Sequence, residues 1–200
     1  MTSIRCQPAR IFMIIGNFNA YVLAGGSSRR MGVDKLFLQI DGRSMLERAI
    51  ATCKSCFKQV KLVTIQATRL SSFGYPVITD SPRAKGPMAG VIAALEDCDT
   101  SHCFVTAGDL LDLNAEIIEL MVTQYRGQQY LGLIETNNIQ PLCGIYHKSS
   151  LEVFYRFTQN DDFCMTKAVM ALNYSGIVLR NSRWRNINCP EDLPNGVING

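Results

Sequence analysis

The sequence predicts an α/β domain built around a mostly parallel β-sheet. Short runs of β-branched residues alternate along the chain with segments whose apolar residues recur at helical spacing, as in parallel sheets covered by helices. The chain has 200 residues, 47% hydrophobic and 18% charged, which fits an ordinary globular domain of this size. Polar residues directly follow several predicted strands, where ligands bind in open parallel sheets. We expect one domain over residues 1–200, with residues 1–18 as an N-terminal extension.

Strands and helices alternate through the first half of the chain. The predicted strands cover residues 19–24, 60–65, 76–79 and 102–106. The first helix begins after Ser44, because Ser44 and Glu47 have the spacing of a capping box, and its apolar face extends to Phe57. The second helix begins at Gly86-Pro87 and runs to residue 95, since proline suits the first helical position.

The pattern changes in the second half. A helix is predicted over residues 114–125, with Asn114 as its N-cap. Two strands that are close in sequence then suggest a hairpin across Asn137 and Asn138. The remaining predicted elements are strands at residues 130–135, 142–146 and 177–179, and helices at residues 149–157 and 163–172.

Composition and charge argue against several functional classes. A net charge of +3 gives no reason to expect nucleic-acid binding. No apolar run reaches the roughly 18 residues of a membrane span, and the first residues lack the features of a signal peptide. Among eight cysteines, only Cys53 and Cys56 form a Cys-x-x-Cys pair, with nothing nearby to complete a zinc site. We therefore expect a cytoplasmic protein with reduced thiols that binds neither nucleic acid nor membrane.

The strand at residues 19–24 leads into a loop rich in glycine and basic residues. Gly25 and Gly26 allow the backbone N–H groups to approach a ligand closely. The loop carries three basic side chains and one acidic side chain: Arg29, Arg30, Lys35 and Asp34. Backbone donors together with guanidinium and ammonium groups suit a polyphosphate, although solvated basic residues after a glycine turn are the alternative. The spacing matches neither a Walker A motif nor Gly-x-Gly-x-x-Gly, which argues against ordinary kinases, GTPases and dinucleotide-binding proteins.

Two aspartates follow other predicted strands at their carboxyl ends. Asp80 comes after the strand at residues 76–79, and Asp109 after the strand at residues 102–106. Both are expected at the same edge of the sheet as the basic loop. Carboxylates are ligands that Mg²⁺ prefers, so Asp109 is a candidate metal ligand. Each aspartate could instead serve only as a turn or cap residue.

The basic loop resembles the signature of the molybdenum cofactor guanylyltransferases, Leu-Ala-Gly-Gly-x-Ser-x-Arg-Met-Gly-x-Asp-Lys. Residues 23–35 match this signature at every specified position. Three further segments resemble the family in the same order: residues 86–90, residues 140–142 with Tyr146, and residues 186–193. The resemblance implies a Rossmann-like three-layer α/β/α sandwich of the nucleotide-diphospho-sugar transferase type.

The same resemblance implies the reaction and the residues that carry it. GMP would be transferred from GTP to the terminal phosphate of molybdopterin, with release of pyrophosphate and formation of molybdopterin guanine dinucleotide. Mg²⁺ would be the cofactor, held by Asp109. The implied catalytic residues are Arg30, Lys35 and Asp109. The implied nucleotide-binding residues are Leu23, Ala24, Gly25, Gly26, Lys35, Asp80 and Asp109. The implied substrate-binding residues are Gly86, Gly90, Asn186 and Asn188. A molybdenum-insertion protein or a recipient molybdoenzyme would be the protein partner.

The chain departs from the family pattern at three places. Leu110-Leu111 replaces the usual Met-Pro after the metal aspartate, Cys189 replaces a threonine, and the segment 64–66 lacks an expected asparagine. Two alternatives therefore stay open: a related nucleotidyltransferase that uses CTP or a sugar phosphate acceptor, and a catalytically inactive GTP-binding regulatory protein. The family's cytidylyltransferase relatives typically carry alanine at the position of Gly25, which favours GTP here.

Overall fold

The computed structural model describes residues 15–25, 34–135 and 138–179. The strands in these residues are β1 (Ile15–Leu23), β2 (Gln39–Ile40), β3 (Arg43–Ser44), β4 (Phe57–Val63), β5 (Val77–Ile78), β6 (His102–Ala107), β7 (Tyr130–Glu135), β8 (Asn138–His147) and β9 (Tyr174–Val178). The α-helices are α1 (Met45–Cys56), α2 (Pro87–Asp97), α3 (Ala115–Gln124), α4 (Leu151–Gln159) and α5 (Met165–Met170).

Seven strands form the central sheet, in the order β5-β4-β1-β6-β8-β7-β9. β5, β4, β1 and β6 are parallel to one another, and β8 pairs antiparallel with β6 on one side and with β7 on the other. β9 then runs parallel to β7. Within this described sheet β8 alone runs in the opposite direction, so the predicted mostly parallel sheet is confirmed.

Helices cover both faces of the sheet and enclose two separate cores. Ala20 and Val22 on β1 pack on one face with α1 and α3. Tyr21 and Leu23 pack on the other face with α2, α4 and α5. This division follows from the two-residue period of a strand, whose successive side chains point to opposite faces. The result is the three-layer α/β/α arrangement.

The predicted starts of α1, α2 and α3 are confirmed, whereas α4 and α5 each begin two residues later than predicted. Glu47 N–H donates to Ser44 Oγ over 3.2 Å, and the Glu47 carboxylate accepts from Ser44 N–H over 2.7 Å, which completes the capping box of α1. Asn114 Oδ1 accepts from Ile117 N–H at the start of α3. Pro87 occupies the first turn of α2.

Several boundaries and small elements differ from the sequence prediction. β1 begins at Ile15, four residues earlier than predicted, so residues 15–18 of the expected extension belong to the sheet. The helical spacing predicts Phe57 on the apolar face of α1, but its backbone is extended and it begins β4 without any intervening loop. The β2–β3 pair and two 3-10 helices, Lys35–Phe37 and Ala67–Phe73, were not predicted. Such short elements carry no periodic hydrophobic signal.

The cysteines and helices bear on two further expectations. The six described cysteines are free thiols, and five of them are buried: Cys53, Cys56, Cys98, Cys103 and Cys143. No helix within the described residues is both long and apolar enough to cross a membrane.

Candidate active site

The four parallel strands end side by side and define one edge of the sheet. Leu23 at the end of β1 is aligned with Val63 of β4 and with Ala107 of β6. Val63 is aligned in turn with Ile78 of β5. The residues that follow these four strands therefore emerge at the same edge, where open parallel sheets bind ligands.

Backbone hydrogen bonds extend the alignment past the strand ends. Ala24 N–H donates to Val63 O over 2.8 Å, and Gly108 N–H donates to Leu23 O over 2.9 Å. Leu23 and Ala24 are buried, whereas Gly25 is exposed. The chain thus leaves the sheet at Gly25. The Leu23 carbonyl and the Ala24 amide just before it are held by hydrogen bonds to the neighbouring strands.

Asp80 lies between two glycines from different elements. A Cβ atom at Gly25 would stand 3.4 Å from Asp80 Oδ2, and one at Gly90 in α2 would stand 3.5 Å from Asp80 Oδ1. Ser81 N–H donates to Ala89 O over 3.1 Å, which ties this turn to the start of α2. Partial burial raises the pKa of Asp80 above its ordinary value. The predicted nucleotide residue Asp80 therefore does lie beside Gly25.

The first turn of α2 faces this aspartate. Gly86 precedes the helix with φ of 60°, in the region where glycine avoids the steric cost of a side chain. Pro87 then begins the helix, and Gly90 packs so closely that a Cβ atom there would approach Leu23 Cδ2 to 3.0 Å. Of the two predicted substrate residues on this helix, Gly90 lies against the end of β1 and Gly86 lies at the exposed cap.

Lys35 and Asp109 are brought together by the packing of their neighbours. Asp109 follows Gly108 at the end of β6, and Leu36 follows Lys35 in the 3-10 helix. A Cβ atom on Gly108 would approach Leu36 Cδ2 to 2.9 Å, so only glycine allows this contact without displacement. Lys35 and Asp109 thus sit on two segments held in direct contact.

The electrostatics of Asp109 reflect that proximity. Burial raises the pKa of the Asp109 carboxyl above its ordinary value, and the nearby Lys35 ammonium acts in the opposite direction. The Asp34 carboxylate raises the pKa of Asp109 further. A carboxylate whose negative charge is poorly solvated favours a neighbouring cation, and the carboxylate oxygen is a donor type that suits Mg²⁺.

Four predicted site residues lie outside the described residues: Gly26, Arg30, Asn186 and Asn188. The structure therefore brings together Leu23, Ala24, Gly25, Asp80 and Gly90 in one group, and Lys35 with Asp109 in another. Both groups belong to the same sheet edge, because Gly108 N–H bonds to Leu23 O.

Neither histidine lies at this edge. His102 opens β6 and is aligned with His147 at the end of β8, so both occupy the opposite edge of the sheet. The His102 ring packs against Phe18 and Tyr125, with centroid distances of 4.2 Å and 5.1 Å. Both histidines therefore lie away from the carboxyl edge of the parallel strands.

Two residues of this region had no role in the sequence-based site. Asp34 caps the 3-10 helix, since its Oδ1 accepts from Leu36 N–H over 3.1 Å. Arg69, from the 3-10 helix after β4, forms an ion pair with Asp34 Oδ2. An aspartate directly before a short helix is a recognisable capping signal, but nothing in the sequence indicates a partner 35 positions away.

Comparison with known proteins shows which family this chain resembles in sequence. A sequence profile of the MobA-like NTP transferase domain matches residues 20–171. A protein of Aquifex aeolicus named "Probable molybdenum cofactor guanylyltransferase" is 29% identical over 176 residues, covering 86% of this chain and 87% of the relative. A relative of the same name from Natranaerobius thermophilus is 26% identical over 191 residues, covering 88% and 93%.

This chain belongs to the MobA-like NTP transferase family. It is accordingly a nucleotidyltransferase, and the resemblance read from residues 23–35 is confirmed. The fold agrees with that of molybdopterin-guanine dinucleotide biosynthesis protein A from Archaeoglobus fulgidus, with a TM-score of 0.76 at 24% identity, covering 88% of this chain and 94% of the other.

One departure of this NTP transferase from the family pattern has a structural explanation. Leu110 and Leu111 stand where the resemblance leads us to expect Met-Pro after the aspartate. Leu110 is 8% exposed and joins the core on the α1 and α3 face. Leu111 packs against a small cluster that includes Leu38 and Met45. The loop after Asp109 is thus anchored by two apolar side chains, without proline.

Proposed function

We propose that this protein transfers GMP from GTP to the terminal phosphate of molybdopterin, releasing pyrophosphate and forming molybdopterin guanine dinucleotide. The observation that carries the proposal is the meeting of Gly25, Asp80, Lys35 and Asp109 at one sheet edge. The matching relatives that carry the name molybdenum cofactor guanylyltransferase support the choice of reaction.

The reaction needs positioning and charge stabilisation more than proton transfer. A phosphate oxygen of the acceptor, already ionised near neutral pH, would attack the α-phosphorus of GTP. The new P–O bond forms as the bond between the α-phosphorus and the bridging oxygen breaks, and pyrophosphate leaves with that electron pair. Lys35 would hold the phosphates by charge-assisted hydrogen bonds. The location of both histidines at the opposite edge agrees with this chemistry.

Asp109 would hold a Mg²⁺ ion. Its half-buried carboxylate, at the end of β6 and beside Lys35, is a hard oxygen donor of the kind that shares Mg²⁺ with substrate phosphates. When bound, Mg²⁺ neutralises negative charge on the phosphate oxygens. Lys35, held near Asp109, would add a second positive charge at the same phosphates without having to move during the reaction.

The environment of Gly25 supports a nucleotide at this edge. Its φ lies outside the left-handed region, and a Cβ atom there would make only an ordinary contact with Asp80 Oδ2. Neither backbone conformation nor packing among the described residues thus explains the missing side chain. Space for a purine base would account for the missing side chain, and this supports GTP rather than CTP as the substrate of the proposed reaction.

The decisive experiment measures pyrophosphate release with purified molybdopterin and GTP, CTP or ATP, and with sugar phosphates as alternative acceptors. We expect release with GTP and molybdopterin only. Preferential release with CTP or a sugar phosphate would replace the proposed substrate. GTP binding without any product would favour the inactive regulatory protein.

Asp109→Asn tests the metal role. The substitution removes the negative charge but keeps the shape, so turnover should fall by about 100-fold or more while the unfolding transition stays close to that of the wild type. Asp41→Asn is the matched control, because Asp41 lies in an exposed turn with φ of 51°, which asparagine tolerates. Unchanged turnover in Asp109→Asn would exclude the metal role.

A further inference from the structure

Arg69, which lies outside the family signature, forms an ion pair with the signature residue Asp34 next to Lys35. Asp34 uses both carboxylate oxygens: Oδ1 accepts from Leu36 N–H over 3.1 Å, and Oδ2 pairs with Arg69. The Arg69 guanidinium also lies over the Phe37 ring, 4.6 Å from its centroid. Arg69 therefore contacts this segment on both sides of Lys35, once through Asp34 and once through Phe37.

These contacts continue without a gap to the aspartate of the site. Leu36, between Lys35 and Phe37, is 7% exposed and packs against Gly108, the residue before Asp109. The 3-10 helix itself is short and is closed by Phe37 N–H to Asp34 O and by Leu38 N–H to Lys35 O, both 3.1 Å. A single turn of this kind has little stability of its own, so its position depends on its tertiary contacts, among them those with Arg69 and Gly108.

The ion pair between Asp34 and Arg69 affects the charge that a phosphate ligand would meet near Lys35. Asp34 adjoins Lys35 in sequence and lies within electrostatic reach of Asp109. Without a partner, its carboxylate would repel a triphosphate and oppose the charge of Lys35. Arg69 neutralises that carboxylate and, because guanidinium is planar, also stacks on a ring, which lysine does less well.

We propose that Arg69 is a positioning residue for nucleotide transfer: it neutralises Asp34 and fixes the segment 34–37 so that Lys35 meets the triphosphate beside Asp109. This assignment rests on the proposed function, and it gives a role to a residue that lies outside the signature. Arg69 acts through Asp34 and Phe37 rather than by touching the substrate.

The test uses Arg69→Ala, Arg69→Lys, Asp34→Asn and the double variant Arg69→Ala/Asp34→Asn. Asparagine at position 34 keeps the oxygen that caps Leu36 but removes the charge. Arg69→Ala should raise KM for GTP about five- to tenfold, and in the Asp34→Asn background the same change should raise it less than about twofold. Arg69→Lys should recover part of the loss, because it keeps the charge without the planar stacking.

The control variant is Arg83→Ala. Arg83 makes the same two kinds of contact elsewhere, an ion pair of 3.5 Å with Glu96 and a ring contact of 5.5 Å with Tyr155. Its removal should leave KM for GTP unchanged. A general effect of deleting any surface arginine would instead appear in both variants.

Hydrogen exchange of the nucleotide-free protein supplies a readout that does not depend on catalysis. Arg69→Ala should speed exchange at the amides of residues 36–38, and Arg83→Ala should not. Unchanged exchange and unchanged KM in Arg69→Ala would overturn the proposal. An equal KM increase in the Asp34→Asn background would also overturn it, because Arg69 would then act independently of Asp34. If the wild type released no pyrophosphate with any substrate, the proposed function would fail, whereas faster exchange would still support the structural part of the assignment.

Discussion

Gly108→Ala tests whether the segments that carry Lys35 and Asp109 pack too closely for an added methyl group. A Cβ atom at position 108 would stand 2.9 Å from Leu36 Cδ2, 3.0 Å from Leu46 Cδ1 and 3.2 Å from Leu23 O. Leu46 is fully buried, and Leu23 contributes a backbone atom, so neither can move easily. The new methyl group must therefore displace its surroundings.

The expected cost follows from two opposing effects. Overpacking a well-filled core typically costs about 1–3 kcal/mol. Replacing glycine by alanine lowers the conformational entropy of the unfolded chain. This stabilises the folded state by about 0.4–1 kcal/mol, provided that the backbone conformation suits alanine. Gly108 is not among the residues with positive φ, so this gain applies. We expect a net loss of about 1–2 kcal/mol in the free energy of unfolding.

Equilibrium urea unfolding measures this loss, with Gly90→Ala as the control. A Cβ atom at Gly90 would make one tight contact, 3.0 Å to the flexible end of the Leu23 side chain. Alanine is also more favourable than glycine inside a helix such as α2, by about 1 kcal/mol. Gly90→Ala should therefore stay within about 1 kcal/mol of the wild type. If Gly108→Ala were as stable as the wild type, the packing that joins Leu36 to Gly108 would not be tight, and the link between Lys35 and Asp109 would lose its physical basis.

Two further predictions concern hydrogen bonds away from the site. Hydrogen bonds from Ser44 hold the pKa of Glu47 below its ordinary value of 4.5. A lowered carboxyl pKa stabilises the fold above the unfolded-state pKa, and this stability is lost as pH falls through the folded-state pKa. Glu47→Gln should therefore lower the free energy of unfolding at neutral pH, and the difference from the wild type should shrink as the pH falls. A difference in the free energy of unfolding that grows in acid would contradict this. The Tyr21 hydroxyl is buried and donates to Asp97 over 2.7 Å, so Tyr21→Phe should cost about 1–3 kcal/mol in urea unfolding. Tyr155→Phe, which loses an exposed bond, should change stability by less than about 0.5 kcal/mol, and equal losses in the two variants would refute the burial argument.

The local features of the fold could be predicted because each depends on neighbouring residues. The alternation of strands and helices, the capping box of Ser44 and the asparagine cap at Asn114 all arise within a few positions of the chain. For the same reason, the residues that follow strands could be recognised as candidates for one edge. Asp80 and Asp109 were found in this way, although their roles stay predictions.

Pairings between distant residues could not be predicted from the sequence. The sequence placed Asp80 and Asp109 at strand ends, but it did not show that Asp80 lies between two glycines whereas Asp109 lies beside Lys35. The order of the strands decides this difference, because Asp80 follows β5 on one side of β1, whereas Asp109 follows β6 on the other side. Strand order depends on crossover connections and on packing over the whole sheet.

The sequence by itself therefore determined the order of strands and helices and the strand-end positions of Asp80 and Asp109, since hydrophobic period, capping and strand ends are properties of short segments. Only the tertiary structure decided which charges meet there. The pairing of Arg69 with Asp34 and the packing of Leu36 on Gly108 join segments far apart in the chain. Side chains make such contacts only after the sheet has brought its strands together, because the distance along the chain does not fix the distance in space.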